Sequence, residues 1–265
     1  MKSLPNVQTP SGNTARKGTV VPVHGMYHAD WAWQKLQEPF ESSGYRFHPI
    51  TLSGRENKKG RFPLFFTTLG EFAREVILEV QSLPPPIVFM GHSMGALVVA
   101  RVIEKFRPAG VVLLAPASAK SFREVTIKFS RLHRKFSAKA FGTFNPRKAI
   151  ATPEICREMF FSPELPPKQL LEYFGKLTKE SYIATLQMLF GSLLRCPRYT
   201  SLPGLPVLLL GAENDWCVSR SALDHVAERL GVPAEILPNL AHDMMLDAQW
   251  ESVSSSILEW LGRRR

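Results

Sequence analysis

The run Ile87-Val88-Phe89-Met90-Gly91-His92-Ser93-Met94-Gly95-Ala96-Leu97-Val98-Val99-Ala100 passes from an apolar strand pattern to a small-residue helix pattern at a single serine. A strand feeding directly into a helix needs a turn so tight that side chains at positions 91 and 95 would strike neighbouring elements, and it strains the residue between them. A turn of this kind, a nucleophile elbow, holds Ser93 Oγ out at the carboxyl edge of a sheet. Gly-x-Ser-x-Gly alone arises by chance in roughly one chain in ten of this length, so the flanks carry the argument. Pro84-Pro85-Pro86 stops the preceding helix and leads into an apolar strand, while Leu97, Val98, Ile103 and Phe106 continue with helical spacing.

The rest of the chain alternates in the same way. Residues 19–24, 45–52, 110–115, 206–210 and 234–237 read as strands; residues 31–42, 68–82, 219–230 and 248–261 read as helices. Alternation implies parallel strands with right-handed crossovers, so the expected fold class is α/β: a doubly wound, mainly parallel sheet of about six strands. Pro22 removes a ladder donor from a central strand and predicts a bulge or irregular start there. Residues 116–202 are too many for a strand-to-helix connection and have helical apolar spacing, which predicts an inserted helical cap. In it Phe122, Val125, Phe129, Leu132, Phe136 and Ala140 form one apolar stripe, with further helices over 153–161, 167–177 and 180–194. The expected organisation is a flexible tail at 1–18, a core at 19–116 and 203–265, and a cap at 117–202.

Composition narrows the function classes. A chain of 265 residues with 45% hydrophobic content is long enough to bury a large core. No apolar run approaches a membrane span, and the polar start lacks the apolar centre of a signal peptide, so the expected location is cytoplasmic. Cys156, Cys196 and Cys217 are odd in number and lack metal-ligand spacing, so neither a disulfide framework nor a zinc site is expected. His24 and His28 straddle a strand end and a loop rather than one helical face, and no metal is assigned to them. The net charge is +10. Lys120, Arg123, Lys128, Arg131, Arg134, Lys135, Lys139, Arg147 and Lys148 fall in one segment beside the single acid Glu124. No recognisable nucleic-acid module surrounds them, which leaves a solvated helix face or a docking face for an anionic lipid surface or an acidic carrier protein.

A serine hydroxyl becomes nucleophilic when a base takes its proton, and that base needs an acid to orient it. His242 follows the last strand and precedes the closing helix, where such a base belongs. His225, His133 and His48 lie in a surface helix, the cap and a strand, and His92 is constrained by the turn to the floor of the site. Asp215, just past a strand, is the first choice of acid and Glu213 its rival. Asp243 and Asp247 adjoin the histidine too closely in sequence to reach the far ring nitrogen.

The ordered set Ser93, Asp215 and His242, the elbow, and the strand ending Val23-His24-Gly25-Met26 resemble the α/β-hydrolase superfamily over essentially residues 19–261. With Trp31 and Trp33 following, the chain is similar to compact bacterial esterases and lysophospholipase-like members. The resemblance implies backbone N–H donors to an oxyanion at Met26 and Met94. The N–H of Met94 opens a helix, whose dipole favours negative charge. Two features depart from the pattern: there is no room for two further antiparallel strands before Thr19, and Thr51-Leu52-Ser53-Gly54-Arg55 replaces the usual glycine-rich loop.

The expected function is a cofactor-free serine hydrolase acting on a carboxylic ester, lipid-like ester or thioester through an acyl-enzyme. His24, Gly25, Tyr27, His92, Phe129 and Phe161 are expected around the substrate. Lyase, perhydrolase or acyltransferase chemistry on the same residues, and a non-catalytic binding protein on a hydrolase scaffold, are the alternatives.

Overall fold

The computed structural model describes residues 16–55 and 58–264, so most of the expected N-terminal tail lies outside the described residues. Six parallel strands form one sheet: β1 (Thr19–Val23), β2 (Arg46–Phe47), β3 (Ile87–His92), β4 (Gly110–Leu114), β5 (Val207–Ala212) and β6 (Ala234–Leu237). Their spatial order is β2-β1-β3-β4-β5-β6. The chain moves outward from β1 to β2 and then returns to the other side of β1, so its direction reverses between β1 and β3. The crevice beyond the carboxyl ends at such a reversal is where α/β sheets hold ligands, and Met26 and Ser93 follow those two strands.

Side-chain alternation along the strands builds two cores. Val20, Val88, Met90 and Val112 meet Leu36 and Phe40 of α1 (Gln34–Ser42) and Val253 and Ile257 of α10 (Trp250–Gly262). Val21, Phe89, Val111 and Leu113 face the opposite layer of α2 (Leu69–Val80), α3 (Met94–Val102) and α9 (Arg220–Leu230). Burial of both faces explains why the strands read as continuous apolar runs. Thr68 starts α2 by accepting the Glu71 N–H on its hydroxyl, and Ser219 starts α9 by accepting from Ala222.

Pro22 acts differently from the expectation. The β1–β3 ladder runs unbroken from Thr19↔Ile87 to Val23↔Gly91, without a bulge. The backbone of residues 20 and 22 faces β2 instead: Val20 O accepts from the His48 N–H and Pro22 O from the Ile50 N–H, both at 2.9 Å. The missing proline donor therefore falls on the β2 side. The strand expected over 45–52 consequently shrinks to Arg46–Phe47 plus an isolated bridge between Val23 and Ile50.

Between β4 and β5 come α4 (Ala119–Leu132), α5 (Arg134–Gly142), α6 (Pro153–Phe160), α7 (Pro167–Lys176) and α8 (Tyr182–Phe190). The single stripe expected from Phe122 to Ala140 is two helices, broken where His133 leaves helical dihedrals (φ −123°, ψ 49°). A 2.8 Å contact between Ser130 Oγ and Ser137 Oγ holds the two together. The insertion is tied to the core by a buried Arg55–Glu180 ion pair. Glu180 Oε2 also accepts the Tyr27 N–H, and Tyr27 O accepts the Thr178 N–H at 2.7 Å. Thr51-Leu52-Ser53-Gly54-Arg55, the segment that departs from the familiar pattern, thus supplies the clamp between the two parts.

Candidate active site

Ser93 has φ 50° and ψ −118°, a left-handed conformation uncommon for a residue with a side chain. Its neighbours show why the turn admits no substitute for glycine. A Cβ on Gly95 would lie 2.1 Å from Val23 O, and one on Gly91 would lie 2.6 Å from Ala96 Cα. Both obstacles are backbone, so neither can swing aside.

The structure brings Ser93, Asp215 and His242 together. His242 Nε2 lies 2.9 Å from Ser93 Oγ, and His242 Nδ1 lies 3.0 Å from each oxygen of Asp215. Asp215 Oδ1 is held by the N–H groups of Cys217 and Val218, both at 2.8 Å. A carboxylate accepts only, so Nδ1 carries a proton toward Asp215 and Nε2 is free to accept from the serine hydroxyl. Glu213, the rival acid, instead accepts the Asn239 N–H at 3.0 Å. Burial alone lowers the pKa of His242, but the charge and hydrogen bond of Asp215, aided by Asp243, outweigh it and raise the value above that of an ordinary histidine.

A cavity of about 70 Å³ opens over Ser93 and His242, walled mainly by Met26, Tyr27, His92, Phe122, Val125, Met159 and Phe160. Tyr27, Phe122, Val125 and Met159 also line a second, largely apolar space of about 100 Å³ between α4, α5 and α8, which Phe129 and Tyr182 help to enclose. Tyr27 and His92 therefore border the serine, whereas Phe129 belongs to the outer space. Three of the expected substrate contacts lie elsewhere. His24 is wholly buried, with Nδ1 donating to Gly25 O and Nε2 accepting the Leu52 N–H, and so braces the strand end. Gly25 packs beneath the nucleophile, where an added Cβ would lie 3.1 Å from Ser93 Cβ. Phe161 is buried against Tyr173, with ring centroids 5.7 Å apart, and is not among the walls of either space. The apolar spacing that suggested a substrate contact reports helix packing there.

Among the described residues, the side chains able to converge on a metal are His92, His242 and Asp243, or Asp215, Cys217 and His242. Either set would take a ring nitrogen of His242 that the hydrogen-bond chain already uses. No periodicity or motif signals the partners of several buried groups around the site. Asp247 accepts from Ser162 Oγ at 2.7 Å and from the Ala241 N–H at 2.8 Å. His92 Nε2 donates to His242 O at 3.0 Å. Lys128, expected on a free basic face, lies with Nζ 3.9 Å from the centre of the Trp216 ring, next to Asp215.

Residues 20–254 match the model of the alpha/beta hydrolase family. The chain belongs to that family. Methylesterase 3 of Arabidopsis thaliana is 31% identical to this α/β hydrolase over 93 residues, 34% of this chain and 35% of the relative. A probable esterase of Oryza sativa is 28% identical over 119 residues, 41% of this chain and 44% of the relative. The chain thus aligns with about a third to less than half of these relatives' length. Among solved structures, an esterase from Exiguobacterium antarcticum superposes with a TM-score of 0.68 at 15% identity, covering 93% of this chain and 92% of that one. A methylesterase from Arabidopsis gives 0.66 at 16% identity, with 92% and 98% covered. These likenesses establish the α/β-hydrolase fold over the described core and insertion alike.

Proposed function

We propose that this α/β hydrolase cleaves carboxylic esters by way of an acyl-enzyme. The observation that carries the reading is the unbroken chain of hydrogen bonds from Ser93 through His242 to Asp215, opening into an apolar cavity. Ser93 Oγ attacks the ester carbonyl while His242 takes its proton at Nε2 and then returns it to the departing alcohol. Asp215 keeps the imidazole in the required tautomer and stabilises its protonated form. The backbone N–H groups of Met26 and Met94 receive the oxyanion, the second from the first turn of α3. Water then repeats the sequence to release the acid. No step needs a cofactor.

Residues 117–202 act as a cap over the entrance, and the apolar space between α4, α5 and α8 takes the hydrophobic part of the ester. The basic face has changed in detail: Lys128 is engaged with Trp216, which leaves Arg131, Arg134, Lys135 and Lys139 exposed beside the exposed Leu132 and Phe141. That mixture fits the surface of an anionic lipid phase from which an apolar ester would enter.

Labelling with a fluorophosphonate tests the activated serine directly, and a panel of methyl and p-nitrophenyl esters of rising chain length tests the substrate class. The methyl esters are included because relatives are named methylesterases. Labelling of the wild type but not of Ser93→Ala is expected. A wild type that does not label is a binding protein on this scaffold, and one that labels without hydrolysing any ester calls for the transferase or lyase alternative.

A further inference from the structure

Behind the serine relay lies a second buried histidine–aspartate contact. His28 Nε2 is 2.9 Å from Asp243 Oδ2, and the two side chains are 2% and 1% exposed. On its other side, His28 Nδ1 lies 2.6 Å from Met26 O. The approach of Nε2 to Asp243 is close but poorly aligned for a hydrogen bond. A carbonyl only accepts, so Nδ1 carries a proton toward Met26. Burial opposes ionisation of Asp243, but His28, followed by His92 and His242, outweighs it and holds the carboxyl below its ordinary range. The ring of His28 thus spans from the carboxylate of Asp243 to the carbonyl of Met26.

The placement of this pair matters more than its charge. Asp243 is the residue after His242, and its carboxylate lies against His28 of the loop after β1. His28 spans from there to the carbonyl of Met26, the residue whose N–H lies in the proposed oxyanion loop. His92 closes the arrangement by donating to His242 O while Nε2 stays 3.7 Å from Asp243 Oδ1. The loop that carries the base and the loop that carries an oxyanion donor are therefore joined through two buried side chains at the floor of the serine cavity.

We propose that His28 and Asp243 are a positioning pair that fixes Met26 relative to His242, so that the oxyanion donor and the base hold a common register. This rests on the hydrolase reading above. Loss of a single oxyanion donor costs about a hundredfold to a thousandfold in kcat, and displacement by about 1 Å can cost about a hundredfold. A donor shifted by part of that distance loses less. Both side chains are almost fully buried, and the apolar walls Phe122, Val125, Met159 and Phe160 remain to bind the ester, so KM should change much less than kcat.

Stability and positioning separate in one double variant. Replacing a buried ion pair with apolar side chains of similar volume is often neutral for stability, so His28→Met with Asp243→Val should melt near the wild type. If the pair only holds the fold together, its activity returns with its stability. If the pair positions Met26, kcat stays about tenfold to a hundredfold down while KM remains within about twofold. Asp243→Asn, isosteric but uncharged, should fold and lose about threefold to tenfold in kcat. A double variant with wild-type kcat overturns the proposal, as does a kcat that falls only in step with the melting temperature. Should the double variant fail to fold, Asp243→Asn decides, and an unchanged kcat overturns the proposal. Wild-type protein inert to the fluorophosphonate overturns the hydrolase reading and this one with it, whereas reactive wild type with unimpaired variants overturns this one alone.

Discussion

Asp247 grips Ser162 across the boundary between core and insertion: its Oδ1 accepts the Ser162 hydroxyl at 2.7 Å, and both carboxylate oxygens lie within 3.2 Å of the Ser162 N–H. The same carboxylate accepts from the N–H groups of Ala241 and Ala248 at 2.8 and 2.9 Å. One buried acid thus joins the insertion to the residue before His242. Ser162→Ala removes a hydrogen bond to a charged group and should lower the free energy of unfolding by about 1.5–3 kcal/mol. Asp247→Ala should cost more, because it strands three backbone donors. Urea unfolding checks both, and a Ser162→Ala midpoint equal to the wild type would remove the bond's assigned weight.

The positive φ of Ser93 distinguishes two inactive variants. Ser93→Ala and Ser93→Gly both remove the hydroxyl and should both abolish hydrolysis. Alanine keeps the strain of a side chain at φ 50°, whereas glycine releases it. Strain of this kind is worth about 1–3 kcal/mol, part of which glycine's greater freedom in the unfolded chain cancels. Ser93→Gly should therefore melt above Ser93→Ala. The reverse order by calorimetry would mean that the elbow is relaxed.

Asp215 and Glu213 should separate sharply in kinetics. Asp215→Asn lets the wrong tautomer of His242 form and should cost about 10⁴-fold in kcat, by analogy with the same change in serine proteases. Glu213→Gln only alters an acceptor for the Asn239 N–H and should stay within a few-fold. The base acts when neutral, so kcat/KM rises with pH through the raised pKa of His242, above the ordinary value of about 6.5. Removing the charge of Asp215 should move that limb to lower pH. A limb that stays in place in Asp215→Asn would show that Asp215 does not govern the histidine.

Stability should fall on the acid side through His92. Its burial, with the neighbouring charge of His242, lowers its pKa to about 3. The unfolded chain binds this proton from about pH 6.5 downward, so between those values the unfolded state holds more protons and stability drops by about 1.4 kcal/mol per pH unit. His24, lowered first by burial and then by Arg55, adds in the same direction. His242 works in a different window: its raised pKa contributes stability that is full below about pH 6.5 and is lost only above that. Unfolding curves between pH 6 and 4 should therefore be shallower in pH for His92→Gln. An identical slope would argue against a neutral, buried His92.

The part of the site that lies on regular elements was legible from residue order. Ser93 is fixed by glycines whose replacement would meet backbone, and His242 and Asp215 follow strands whose apolar runs are unambiguous. Asp243 and Asp247 were not legible, because their respective partners His28 and Ser162 are distant in sequence and no periodicity links them. The break at His133 was also hidden: neither proline nor glycine marks it, and the apolar spacing continues through it. Helical spacing likewise could not tell Phe161, packed on Tyr173, from Phe129, which borders the apolar space. For the basic helix, sequence revealed the charge but not that Trp216 would engage Lys128.

The placement of Pro22 has a consequence for how the sheet breathes. β2 is an edge strand of two residues, and Pro22 cannot donate to it, so this margin is among the less costly parts of the sheet to open. The next turn of chain holds Arg55, whose partner Glu180 also grips the N–H of Tyr27. Fraying at this edge is therefore transmitted to the wall of the catalytic cavity, and amide exchange at His48 and Ile50 would report the loosening of a residue more than 20 positions earlier in the chain.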